Sequence, residues 1–237
     1  MPVALVACLV SAAAVLLLAL AGPIYRTGLV ELQSAFQLLR WAAYVGVAGM
    51  TVAFAAGLFA YWRGGRRTQL LASLAFVLGL LAFAVPFQLQ RMARSLPPIH
   101  DVTTDLDNPP TFEAVVPLRA NAANTLERSP ELARQQREGY PDIQPITLSI
   151  PRDQAFDNAL VEAQEEGWQI VTADKSTGRI EATDTTRWFG FKDDIVVRLT
   201  PWGSGTRVDM RSVSRIGRSD VGTNARRIRR YLDRLRG

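Results

Sequence analysis

The sequence predicts an α+β protein: three N-terminal transmembrane helices, then a two-layer domain with an antiparallel sheet and two main helices. Three features carry this. Uncharged apolar runs of about 20 residues recur three times before Arg94. Alternating segments joined by Gly-containing turns fill the region after Ile143. Two segments with apolar residues at helical spacing flank or interrupt those strands.

The runs lie near 3–21, 41–62 and 70–89 within a membrane domain over 1–94. Only helices satisfy their own backbone in lipid, so helices are the expected form. Trp41, Tyr44, Tyr61 and Trp62 bracket the second run and suit the headgroup boundary. Pro86 predicts a local kink in the third. Ala19-Leu20-Ala21 matches a signal-peptidase pattern, yet no Lys or Arg precedes the first run. A retained helix and a cleaved leader both remain open, with the retained helix favoured. No Asp, Glu, Lys, Arg or His interrupts the runs, which argues for an anchor and against an ion pathway. Gly46, Gly49, Ala53, Ala56 and Gly57 permit close helix packing.

Arg63, Arg66 and Arg67 crowd the loop between the second and third runs. The positive-inside rule places that loop in the cytoplasm. The N-terminus is then cytoplasmic and everything after Leu89 lies outside, which in a bacterial cell is the periplasm. Arg91 and Arg94 oppose this mildly.

Residues 95–110, with Pro97, Pro98, Pro109 and Pro110, read as an extended connector. The outer domain is expected over 111–237. Phe112–Tyr140 is irregular, with helical potential near 126–138. Ile143–Ile150 predicts a strand, and Pro151 opens a helix with Phe156, Ala159, Leu160 and Ala163 on one face. Trp168–Val171, Arg179–Thr186, Asp194–Thr200 and Thr206–Ser214 predict four more strands. A final helix is expected from about Ser219, capped by Ser219 and favoured by Asp220. Val221, Ala225, Ile228, Leu232 and Leu235 form its apolar stripe. The order is β-α-β-β-β-β-α.

The formal net charge of +5 arises in the membrane part, which has seven basic residues and one acidic. Residues 95–206 carry 10 basic and 18 acidic residues; residues 207–237 carry 10 basic and 3 acidic. A folded domain pairs such halves internally, so the basic end does not call for nucleic acid. Cys8 is the single cysteine, which excludes an intramolecular disulfide. His100, near Asp101 and Asp105, has no second ligand cluster at useful spacing, and neither a metal nor a cofactor is expected.

Gly167-Trp168, the Gly178–Ala182 segment, Phe191–Arg198 and Arg207–Ala225 together resemble the bacterial family named domain of unknown function 1499 (DUF1499). The resemblance covers about residues 97–235. It implies a secreted or membrane-attached bacterial protein, here of the inner membrane, and no defined activity. An Asn-Cys-Val-Ser-like stretch frequent in the family has no counterpart here.

Asp194, Val196 and Arg198 share one strand face, as do Arg207, Asp209 and Arg211, with Glu181 beside them. The bland reading is a structural ion-pair network. The sharper one is an anion site formed by Arg198, Arg211 and Arg215, with Trp188 and Phe191 of an exposed loop as further ligand residues. Asp193 and Asp194 with Ser212 and Ser214 are the catalytic candidates for a membrane-tethered hydrolase, but no histidine or lysine activates either serine. The expected function is therefore an extracytoplasmic binding or interaction domain. Its partners would be the bilayer itself and an anionic small molecule, a lipid headgroup or an envelope protein. A purely structural envelope role is the bland alternative.

Overall fold

The computed structural model describes residues 1–63 and 65–237; Gly64 of the arginine-rich loop lies outside the described residues. The chain divides into two compact units. One comprises residues 1–92 with 187–190, the other 93–186 with 191–237.

In the first unit, helices α1 (Pro2–Arg26), α2 (Leu32–Arg63) and α3 (Arg66–Ser95) are each long and apolar enough to cross a membrane. They extend beyond the apolar runs because polar turns continue the helices at their ends. Helix α3 continues through Pro86 to Ser95. Small residues face inward: Ala7, Ala53 and Ala75 cluster together, as do Ala4, Ala56 and Ala72. At the crossing of α2 and α3 the backbones meet directly. A β-carbon on Gly46 would lie 2.7 Å from the Gly79 carbonyl, and one on Gly79 would lie 2.5 Å from the Gly46 carbonyl. Large apolar side chains such as Phe54, Phe59 and Val77 point outward, as lipid contact requires.

Residues 187–190 complete this unit. The Trp188 indole donates to the Ala19 carbonyl at 3.2 Å, and Arg26 donates to the Arg187 carbonyl at 2.8 Å. The Phe189 ring centroid lies 6.0 Å from that of Tyr25 and 5.7 Å from that of Phe36. The sequence predicts an exposed aromatic loop here; Phe189 is instead buried.

The second unit is built on a six-stranded antiparallel sheet: β1 (Asp101–Thr103), β2 (Ile146–Leu148), β3 (Gln169–Asp174), β4 (Arg179–Thr185), β5 (Lys192–Trp202) and β6 (Gly205–Ser214). The order is β1-β6-β5-β4-β3, and β2 also pairs with β6. β1 pairs with the Arg211–Val213 stretch of β6 and β2 with Thr206–Val208. The hairpin turns fall at Gly178 and Gly203, both with positive φ, as L side chains rarely allow.

Helix α5 (Arg152–Glu165) and helix α6 (Thr223–Arg236) cover one face. Phe156, Ala159, Ile195, Val197, Leu199, Met210, Ile228 and Tyr231 form the core between them. Trp168 stacks on Tyr231 at 4.9 Å in that core. The opposite face is covered by residues 104–129, a strap containing one turn of 3-10 helix at Val116–Arg119. Phe112 and Val115 of the strap pack on Val196 and Val213 of the sheet.

Three sequence expectations shift. β1 adds a strand inside the expected connector, at the head of the sheet domain. The helical potential near 126–138 becomes α4 (Pro130–Gly139), capped by the Ser129 hydroxyl. Helix α6 starts at Thr223, not Ser219. Val221 and Gly222 take positive φ just before it, and Asp220, not Ser219, receives the first-turn amides of Gly222 and Asn224 at 2.8 and 2.6 Å. Val221 therefore precedes the helix and its apolar stripe.

Candidate functional site

Alternation along β5 divides its charges between the two faces of the sheet. Asp194 faces the strap and Asp193 the helices, so the two catalytic candidates point apart.

On the strap face, Asp194 is fully buried. It accepts from Arg119, from Arg215 at 2.8 and 2.9 Å, and from the Thr183 hydroxyl at 2.8 Å. Asp101 on β1 is equally enclosed. It receives Arg128 at 2.6 Å and a bidentate Arg211 at 2.8 and 3.1 Å. Asp209 pairs with Arg198 at 3.1 Å and Arg207 at 3.0 Å. Glu181, fully buried, accepts the strap amides of Glu113 and Val115 at 2.8 and 2.9 Å. The same guanidiniums then reach strap carbonyls: Arg211 to Leu126 at 2.6 Å, Arg215 to Leu118 at 2.7 Å, Arg198 to Asn108 at 3.0 Å. The charged face thus acts as the docking platform of an irregular segment. It supplies the hydrogen-bond partners that a strap with a single 3-10 turn and no strand needs.

This geometry separates the three arginines proposed as ligand residues. Arg211 and Arg215 are committed to buried carboxylates. Arg198 is partly exposed, and its buried Nε has no hydrogen-bond partner among the described residues. Arg207 lies beside it, stacked over the Trp202 ring at 5.6 Å. Of the two aromatic candidates, Trp188 belongs to the helical unit and Phe191 to the sheet domain.

On the helix face the sequence candidates do converge. Asp193, Ser212 and Ser214 meet around Arg227, which is 2% exposed. Arg227 donates to Asp193 at 2.6 Å, to Asp184 at 2.7 Å, to Ser212 at 2.9 Å and to Asn224 at 2.5 Å. Ser212 donates to Asn224 at 2.7 Å, and Ser214 accepts from it at 3.0 Å. The Ser212 hydroxyl accepts from a guanidinium and donates to an amide oxygen, so it has no general base, and the cluster orders the helix–sheet contact.

Sequence reasoning missed Arg119, Arg128, Asp184, Asn224 and Arg227. Only Asn224 and Arg227 carried a signal, as polar residues three apart on the face of α6 that also bears Ile228. Among the described residues, no group of three or more His, Cys, Asp or Glu could hold a metal ion.

Asp220 is a charged cap in a poorly hydrated place. Burial raises its carboxyl above the ordinary range; the Asn224 and Gly222 amides and Arg227 oppose that, and Asp193 adds to it. A carboxyl raised on folding contributes stability below its unfolded pKa and loses that contribution as pH rises through the folded value. The advantage of Asp220→Asn over the native chain should therefore grow from pH 4 to pH 8, measured as the difference in thermal midpoint. A difference independent of pH would show that Asp220 is hydrated.

The family described as "Protein of unknown function (DUF1499)" matches residues 101–235. The chain belongs to the DUF1499 family. No curated protein matches it. The DUF1499 match begins at the first residue of β1 and ends in the last turn of α6. It contains every residue of both charge clusters, and the three apolar helices precede it. In this protein the DUF1499 domain is the strap, the sheet and its two covering helices, held together by buried salt bridges.

Proposed function

We propose that this DUF1499 protein is a multi-pass protein of the bacterial inner membrane that holds its sheet domain in the periplasm as a binding module for an anionic partner. The carrying observation is the commitment of its carboxylates. Asp193 and Asp194 lie on opposite faces, and each is neutralised by guanidinium. Hydrolysis by this pair would need both at one substrate. Rigid framing with partly exposed arginines at its margin suits binding better than turnover.

Three spans would put the N-terminus and the sheet domain on opposite sides of the membrane, and the arginines at 63–67 favour a cytoplasmic loop. A C-terminal alkaline phosphatase fusion should therefore be active and a C-terminal green fluorescent protein fusion dark; the reverse pair would place the domain in the cytoplasm.

The binding reading is tested by extracting the full protein with its surrounding lipid and recording its intact mass by native mass spectrometry. A discrete retained anionic mass is expected. Its absence, with ester hydrolysis that depends on Asp193, would replace binding by catalysis.

A further inference from the structure

The sheet domain uses most of its arginines to hold itself together. Fourteen of the eighteen in residues 93–186 and 191–237 pair with a carboxylate. The exceptions among the described residues are Arg94, Arg137, Arg218 and Arg226. Arg226 donates only to the Val221 carbonyl and the Thr223 hydroxyl.

Each of the four lies on an element that meets one short stretch of chain, Arg94 to His100. Arg94 lies in the last turn of α3. Two residues on, Leu96 approaches Gly222: a β-carbon there would lie 3.0 Å from both the Leu96 side chain and the Arg226 guanidinium. Pro97 packs against Gly139, at the end of the helix that bears Arg137. Pro98, Ile99 and His100 share an open groove of about 460 Å³ with Arg218. Glu131 also lines that groove, but its carboxylate is held by Arg134 at 2.8 Å.

The covalent chain sets the depth of Arg94. The third apolar run ends at Leu89, and α3 continues to Ser95. At 1.5 Å per residue, Arg94 stands roughly 7.5 Å past the apolar run. The headgroup layer on each side of a bilayer is about 5–8 Å thick. Arg94 is therefore at headgroup level, and Leu96 follows it by two residues.

We propose that Arg94, Arg137, Arg218 and Arg226 form a collar that binds anionic phospholipid headgroups where α3 leaves the bilayer. Among the described residues these four guanidiniums have no carboxylate at ion-pair distance, and a phosphodiester supplies an anion. Guanidinium donates two parallel hydrogen bonds to phosphate oxygens, and the exposed Arg218 is free to do so. The inference rests on the binding reading above and deepens it by naming the ligand class and the place.

The test uses the full-length protein in maltoside micelles doped with equal phosphatidylglycerol and phosphatidylcholine, read by native mass spectrometry. Phosphatidylglycerol should be retained preferentially. Replacing all four arginines by glutamine should lower that preference at least about tenfold, since each basic side chain near an anionic surface contributes roughly fivefold. The four lack carboxylate partners, so the thermal midpoint should hold; Arg218→Gln alone serves if it does not, with a loss of about fivefold. An unchanged preference in the folded variants overturns the collar. If Arg198→Gln with Arg207→Gln abolishes it instead, the anion binds at the sheet edge, and the broader reading survives without the collar. Equal retention of the two lipids in the native chain overturns the headgroup assignment. Displacement by inorganic phosphate in excess would show a free-anion site and overturn the lipid as source.

Discussion

Asp194→Ala is expected to cost about 3–5 kcal/mol, the usual penalty for breaking a buried ion pair from one side. The carboxylate is fully buried and shared by two guanidiniums, Arg119 and Arg215, whose side chains are only 5% and 14% exposed. Its loss leaves two cations facing each other with little water. A domain of this size has roughly 5–15 kcal/mol of stability, so the variant should retain little of it. Urea denaturation followed by tryptophan fluorescence measures the loss, and amide exchange locates it. Glu113 and Val115, on the strap, should exchange first. The companion variant Asp194→Leu with Arg119→Met and Arg215→Met should recover most of the stability, because it removes the desolvation cost with the charges. A loss under about 1 kcal/mol in Asp194→Ala would mean that the strap is held by its apolar contacts alone.

Arg227→Ala should be of similar size, about 3–5 kcal/mol, but opens the other layer. One guanidinium there serves Asp184, Asp193, Ser212 and Asn224. Removing it leaves the Asp193 carboxylate, 4% exposed, without a cation. Exchange should now appear first along α6, with the strap amides protected. Arg227→Lys should recover only part of the loss, because an ammonium cannot reproduce a planar fork reaching four acceptors. Full recovery by lysine would show that charge alone matters.

The two variants trace what the sequence made legible. Strand alternation placed Asp194, Arg198, Arg207, Asp209 and Arg211 on one face correctly, because side-chain direction in a strand is a local property. The pairing was not legible. Arg119 reaches Asp194 across 75 residues and Arg211 reaches Asp101 across 110. Nothing in the local pattern of residues 104–129 announces that its amides and carbonyls will be satisfied by side chains of a sheet. The start of α6 was misread for a related reason: Ser219 and Asp220 both look like caps, and only the turn at Val221–Gly222 decides between them. Phe189, in the segment expected as an exposed loop, is buried, because an aromatic residue beside glycine carries no mark of where it packs. The three apolar helices were plain, since length and absence of charge suffice.

Both short strands near the start of the domain, β1 and β2, find their hydrogen-bond partners on β6, the last strand of the chain. A ribosome delivers the residues in the opposite order of need. When Asp101 emerges, its partners Arg211 and Val213 are still more than a hundred positions away, and the strap has no surface to lie on. Closing loops of that length precedes any of the contacts that reward it. The nascent domain must therefore stay an open chain and close only after Ser214 has followed. A stop codon just before Gly205 would remove β6 and helix α6. It would also leave residues 101–148, from β1 to β2, with no edge to join.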